Sequence, residues 1–402
     1  MLFDLGDDTL LFRADVLADP RPLYQDLRRR APVWEIPGRA TFLVSDPSLV
    51  REVAGRTEDF SSNMVSMVCR GVTGTASHFD VLPYRDRNNV LAVADPPDHT
   101  RHRRLLQPNL SPAAVAAFEP AIRGLTRHRL EPLLVAGHGD AVTQLADVIP
   151  AETICHVLGL PTSDADQLLP LVLAVGGLLD GMSDGGGMER GGTAALGLAT
   201  YSLSHLDGQR RQPSESRAPL LDALIVGIDD GTVTEDEAVG MLMQLFSAGT
   251  ETTQSLIATT IEMLAMDGNL QASLRDDPSI IPETLEAVLR DDGPFQFHYR
   301  WTPNDTVLGT AEIPAGSRVL LMWAAANLPG DVDTDRVPPH FAFGRGIHFC
   351  IGAALARLEA RIVIEEVLSS TCSIRLDPGL PARRRPSIML RRHASLPLVF
   401  TT

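Results

Sequence analysis

The sequence predicts a mainly α-helical fold with a small β part, and three observations carry that reading. Apolar residues recur at three- and four-residue spacing along most of the chain, one such pattern is long enough to cross a whole domain, and strand-like runs are short and few. With 402 residues, 44% hydrophobic and 21% charged, the chain can bury a large core. No Gly/Ser/Pro-rich linker or shift in composition marks a boundary, so residues 1–402 read as a single domain.

In chain order, residues 23–30 show the helical period and 33–44 read as strands. Helical patterns return at 113–134, 143–158, 166–179, 193–206 and 220–228. Between 179 and 193 lies GMSDGGGMERGG, the one low-complexity patch. Its glycines predict a mobile loop, either a hinge joining two helices over a pocket or a plain solvated turn. Thr234 and Glu237 then form a capping-box pattern, opening a proline-free apolar run to about Met266. At 1.5 Å per residue that helix is about 45 Å long. Residues 306–322 and a few after Cys372 supply the remaining strands.

Composition narrows the chemistry before any motif is considered. A formal charge of −16, with arginines scattered among acids, argues against a nucleic-acid-binding surface. All thirty-five basic residues are arginine. Without a lysine amine, Schiff-base and pyridoxal-phosphate chemistry and a Walker-type phosphate loop are excluded. Cys69, Cys155, Cys350 and Cys372 are too scattered for a disulfide framework and contain no C-x-x-C pair, which points to a reducing, cytoplasmic setting. The opening MLFDLGDD lacks the basic and apolar segments of a secretory leader, and no uncharged apolar stretch reaches the ~20 residues a membrane span needs.

Two places break the rules of an ordinary core. Inside the long helix, residues 248–253 place Gly249, Thr250, Glu251, Thr252 and Thr253 where apolar side chains are expected. Glycine costs about 1 kcal/mol relative to alanine there, and buried hydroxyl and carboxylate groups need partners. The concentration of violations points to a site, the alternative being a back-bonded kink at a packing contact. Ala248 and Thr252, four apart, share one helix face. The second place is Phe343-Gly344-Arg345-Gly346-Ile347-His348-Phe349-Cys350-Ile351-Gly352, followed by a helical pattern from Ala353. Its glycines let a loop wrap closely around something flat. Cys350 ends the loop where a helix begins, a position expected to stabilise a thiolate as metal ligand or nucleophile, although a lone cysteine can also be inert packing.

With these residues in view, the sequence resembles the cytochrome P450 superfamily in its soluble bacterial, actinobacterial form. Residues 343–352 match the haem-ligand pattern F-G-x-G-x-H/R-x-C-x-G at every position. Residues 95–103 resemble the family's haem-contacting helix start, 248–253 its oxygen-binding helix, and 297–300 the stretch before its substrate-lining strands. The resemblance implies the P450 fold, a long central helix over haem b, with Cys350 as the axial thiolate whose electron density favours O–O cleavage. It implies Thr252 and Glu251 as the catalytic pair, hydrogen-bonding dioxygen and delivering protons. Ala248, Gly249, Phe343, Gly344, His348 and Gly352 would contact the haem, and His99, Arg103, Arg300 and His348 would neutralise its two propionates. Substrate-pocket candidates are Met64, Met67 and Phe79 in the 61–90 loop, then Leu179, Ser247, Phe295, Gln296, Ile388 and Met389.

Two features depart from the family pattern. Ala287 stands where a Glu-x-x-Arg glutamate belongs, leaving Arg290 to be compensated by Glu286 or, failing that, by Asp333 or Asp335 with Arg336. The meander between Asn327 and Phe343 is also shortened. The function implied is a haem-thiolate monooxygenase that uses O2 to oxidise, most simply to hydroxylate, an apolar or amphipathic small molecule, with natural-product biosynthesis or lipid and steroid oxidation as settings. Coupling, cyclisation, desaturation, or non-catalytic haem or ligand binding on the same scaffold are the alternatives. No flavin or dinucleotide segment is visible, so electrons would come from NAD(P)H through a reductase and a ferredoxin-type partner. Arg101, Arg104, Arg345 and Arg357 are the expected dock for that partner on an otherwise acidic monomer.

Overall fold

The computed structural model describes residues 2–81, 89–329 and 339–402. Its helical part contains α1 (Asp98–Leu106), α2 (Glu119–Ala136), α3 (Val148–Val157), α4 (Ala165–Leu179), α5 (Gly185–Arg210), α6 (Glu235–Met266), α7 (Ile281–Asp292) and α8 (Ala353–Ser370). The capping box forms as the sequence predicts: the Glu237 N–H donates to the Thr234 hydroxyl, and the Thr234 N–H donates to the Glu237 carboxylate. Glu237 also accepts from Arg101 at 2.6 Å and contacts the His102 ring at 3.2 Å, which ties α1 to the start of α6.

Helix α6 runs between two apolar clusters. Met241, Leu242, Leu245 and Phe246 pack with Ile154 of α3, Leu168 and Val172 of α4 and Leu355 of α8. Further on, Leu256, Ile257, Ile261 and Leu264 pack with Leu285 and Leu289 of α7 and Val363 and Val367 of α8. Each such side chain, fully buried, contributes roughly 1.5–3 kcal/mol, so both ends of α6 are anchored hydrophobically. The polar segment 248–253 lies between the anchors and is held from both sides.

The glycine patch at 181–192 is not the expected loop. Residues from Gly185 onward are helical, because the Asp184 carboxylate caps the start of α5 by accepting from the Gly187 N–H, and Gly191 leaves room for the Leu178 side chain of α4. Close packing between α4 and α5 overrides glycine's low helix propensity. Only residues 180–184 remain as a turn.

The β part is small. Strands β1 (Val33–Glu35), β2 (Thr41–Val44), β6 (His298–Trp301) and β7 (Arg318–Leu321) make one sheet in the order β1-β2-β7-β6, in which β2 and β7 pair in parallel. A hairpin joins β3 (Ser66–Arg70) and β4 (Ala76–Asp80), and β5 (His138–Asp140), β8 (Ser373–Leu376) and β9 (Pro397–Thr401) form a third, antiparallel sheet. Among the described residues no helix is long and apolar enough to cross a membrane.

Candidate active site

The cysteine loop is closed by its own backbone. The Cys350 N–H donates to the Phe343 carbonyl at 2.9 Å, and the Gly344 N–H to the Phe341 carbonyl at 2.8 Å. Gly344 and Gly346 take φ of +68° and +76°, the left-handed region that glycine occupies without strain, and a side chain on Gly346 would also strike the Ala54 carbonyl. Gly352 caps α8, and its amide lies close to the Cys350 sulfur. One expectation fails here. Burial raises the Cys350 thiol above its ordinary value, outweighing the Gly352 amide, Arg103 and Arg357 that favour the thiolate, so the protein alone does not stabilise it. A bound cation would.

Cys350 is nevertheless accessible, as are Ile347 at 40% and Phe349 at 46%. On α6, Ala248 is exposed and Ser247, Gly249 and Thr252 are half-buried, while Phe246, Thr250 and Glu251 on either side are buried. In the middle of a protein this pattern means that one face of α6 opens onto a cavity. The Thr252 hydroxyl donates to the Ala248 carbonyl at 2.6 Å, the back-bonded geometry weighed as the alternative, and it lies on that opened face.

Four cations expected to act together are found together. The His99 and His348 ring centroids are 4.1 Å apart, Arg103 donates to the Phe349 carbonyl at 2.9 Å, and Arg300 and Arg103 both act electrostatically on the two imidazoles. The nearby Asp95 carboxylate is taken by the Ser61 hydroxyl and the Ser62 N–H. Arg300, buried, donates only to the Tyr299 carbonyl at 2.7 Å and pairs with no carboxylate among the described residues; burial pulls it down to about 10. A guanidinium buried without an anion is unfavourable by several kcal/mol, so the cluster calls for anionic groups from a ligand.

One member of this cluster escapes a motif search. His298 lies two residues before Arg300 on β6, hence on the same face of the strand. Its Nδ1 accepts from the Trp323 indole at 2.7 Å, which leaves Nε2 as the protonated nitrogen, and burial lowers its basicity to about 3. Strand alternation counted back from Arg300 is the signal that could have found it.

Glu251 points elsewhere. Its carboxylate is buried under Gly176 of α4 and paired with Arg392, whose other arm donates to Asp180 at 3.1 Å. Nothing in the sequence marks Arg392, since its partners are 141 and 212 positions away.

The pocket candidates converge. Met64, Met67, Phe79, Leu179, Phe295, Ile388 and Met389 belong to one apolar cluster, joined by Met182. Gln296 is buried, with its amide on the Gly293 carbonyl and its backbone N–H on the Met389 carbonyl. Ser247 is half-buried on α6.

The outer side of the cysteine loop departs most from expectation. Arg101 is occupied by Glu237 and Asp98, and Arg357 by Glu286 at 2.6 and 2.9 Å while stacking 4.3 Å over the Phe343 ring. Only Arg104 and Arg345 of the expected dock are exposed. Glu286 also pairs with His340 at 2.9 Å, not with Arg290, whose Nε is buried without a partner among the described residues. The helix geometry explains this: Glu286 faces α8 and Arg357, a turn away from Arg290. Asp333, Asp335 and Arg336 lie outside the described residues. Arg51, Arg290, Arg345 and Arg357 line a groove of about 720 Å³ on this side.

A slot with an accessible cysteine on one wall, an alanine and a threonine on the other, apolar edges and uncompensated cations at one end suits a flat, apolar, metal-bearing group with two carboxylates, which is haem. No family model matches the chain. It is, however, 34% identical to cytochrome P450 144 of Mycobacterium tuberculosis over 98% of this chain and 91% of that one. It is 31% identical to a beta-dihydromenaquinone-9 omega-hydroxylase of Mycobacterium bovis, over 89% and 72%. Among solved structures, CYP109E1 of Bacillus megaterium in complex with testosterone superposes with a TM-score of 0.84 at 26% identity, covering 96% and 99%. The chain therefore belongs to the cytochrome P450 family, as a bacterial haem-thiolate oxidoreductase of the monooxygenase type.

Proposed function

We propose that this single-domain, monomeric, cytoplasmic enzyme hydroxylates a neutral apolar or amphipathic small molecule of natural-product or lipid type. Electrons pass from NAD(P)H through a reductase and a ferredoxin-type protein. The observation that carries the reading is the pairing of the accessible Cys350 with an uncompensated cation cluster across an apolar slot. Cys350 would ligate the iron of haem b, and His99, Arg103, Arg300 and His348, with His298, would take the propionates. Phe343, Gly344 and Gly352 let the loop approach the ring, and Ala248 and Gly249 keep α6 clear of its other face. Haem, when bound, supplies the iron centre at which O2 is activated.

The chain's own residues then position, exclude water and handle protons. Thr252 holds a hydroxyl on the opened face of α6, and Glu251, whose carboxyl burial raises to about 7, is the acid beside it in sequence. Substrate would lie among Met64, Met67, Phe79, Leu179, Phe295, Ile388 and Met389, with Ser247 and Gln296 as the polar edge. The apolar character of that cluster favours a lipid-like molecule, as do relatives named for a menaquinone and solved with a steroid.

Reduced protein plus carbon monoxide should show the thiolate-type Soret shift, and Cys350→Ser should abolish it while substitutions of Cys69, Cys155 and Cys372 leave it in place. A Cys350→Ser protein that kept the shift would refute the ligand assignment. Titrating steroid and isoprenoid libraries against the Soret band identifies the substrate class. With that substrate, Thr252→Ala should divert most reducing equivalents to hydrogen peroxide while binding persists; unchanged coupling would place proton delivery on another group.

A further inference from the structure

The turn between α4 and α5 is strapped down on both sides. The Asp180 carbonyl accepts from the Ile388 N–H at 3.1 Å, and the Gly181 carbonyl from the Arg70 N–H at 2.8 Å. Gly181 sits at φ +71°, and a side chain there would strike Ile388 and the Val68 carbonyl. Together with Leu179, Met182, Ile388 and Met389, this turn roofs the apolar cluster assigned to substrate. The Asp180 side chain makes a further tie, to Arg392, which is 1% exposed.

Arg392 therefore serves two carboxylates on two different elements. One guanidinium arm holds Asp180 of the roof, and the other holds Glu251 of α6. The Arg392 Nε and Asp180 Oδ1 find no other partner among the described residues. The groups facing Glu251 are Arg392, Asp180 and Arg385, and Arg392 also faces Asp147. Three carboxylates thus share two arginines in a buried space, and one carboxylate is in excess.

We propose that Arg392 couples the roof to the acid of the central helix, so that closing the roof loads Glu251 with a proton and opening it discharges the proton. The inference rests on the reading of Glu251 as the proton-delivering group. With the roof shut, Asp180 takes half of the guanidinium and adds negative charge near Glu251, both of which favour the neutral carboxylic acid. With the roof lifted, Asp180 leaves, Arg392 turns wholly to Glu251, and the carboxylate is favoured. Arg392 is accordingly a positioning residue, and protons are at hand only when the pocket is covered. Gly176 contributes by letting α4 lie directly on the Glu251 carboxylate.

Infrared difference titration of the haem-loaded enzyme, with Glu251→Gln to assign the band, reads the Glu251 carboxyl directly. Hydrogen–deuterium exchange of residues 176–184 reads the roof. Asp180→Asn should lower the proton affinity of Glu251 about tenfold, the scale of losing one nearby like charge, and should speed exchange at 176–184. Arg392→Lys, which keeps the charge on an ammonium unable to span both carboxylates, should move both readouts the same way. Faster exchange with the Glu251 titration unmoved would overturn the coupling and leave a structural tie alone. A moved titration with unchanged exchange would overturn the roof's part in it. Glu251→Gln enzyme that retained parental coupling of electrons to product would refute the acid reading itself, independently of either readout.

Discussion

Two charge networks flank the haem slot, and they are built on opposite terms. On the roof side, Arg392 is buried between Glu251 and Asp180 with more carboxylate than arginine nearby. On the cysteine-loop side, Glu286 is half-exposed and serves Arg357 and His340, while Arg290 is left over. The buried network holds its acid toward the neutral form: burial pushes Glu251 up to about 7 against the pull of Arg392. The exposed one does the reverse, the Arg357 hydrogen bond first and His340 after it holding Glu286 down at about 2. The same pair of residue types yields an acid in one place and a fixed anion in the other, and desolvation decides which.

The comparison breaks most visibly at Arg392. Arg392→Met strands two buried carboxylates and should lower unfolding stability by about 3–5 kcal/mol at neutral pH, measured by denaturant titration. A loss below about 1 kcal/mol would mean the cluster is wetter than its burial implies. Second in size is the pH dependence. A carboxyl raised in the fold contributes its stability below the ordinary carboxylate range and loses it as pH climbs toward its folded value. Glu251 should therefore make stability fall between about pH 4.5 and 7, and Glu251→Gln should flatten that slope. Glu286, lowered in the fold, has the opposite sign: its contribution is present above the ordinary range and vanishes as pH drops toward about 2. Because the pair is partly exposed, Glu286→Gln should cost only about 1 kcal/mol at pH 7. The smallest effect sharpens the contrast by repair. Since Glu286 does not reach Arg290, Ala287→Glu should add about 0.3–0.5 kcal/mol as a helical i, i+3 pair and raise haem occupancy, read as the ratio of Soret to protein absorbance. No gain would show that Arg290 is already satisfied.

The legible parts of the molecule were those whose causes are local. The capping box at Thr234 and Glu237 announces α6 within four residues, and the glycines at 344, 346 and 352 announce a loop pressed around a flat group. The glycines at 185–192 misled because the force that makes them helical, Leu178 filling the space beside Gly191, comes from another helix. Arg392 was invisible for the same reason: beside Arg391 it reads as a surface charge, and only the folded chain brings it to Asp180 and Glu251. Glu286 was assigned to Arg290 by helical spacing, yet the long-range partner Arg357 won because a bidentate contact across helices outweighs a single turn of helix.

Trp323 carries a practical consequence of its position. It is one of three tryptophans in the chain, and its indole is bonded to His298 of the cation cluster, stacked beside Phe341, and in contact range of Gly344 in the cysteine loop. Any visible chromophore seated in the slot therefore lies within efficient energy-transfer range of that indole. Emission from Trp323 should be bright in the empty protein and dark in the loaded one, which gives the molecule an internal optical gauge of its own assembly.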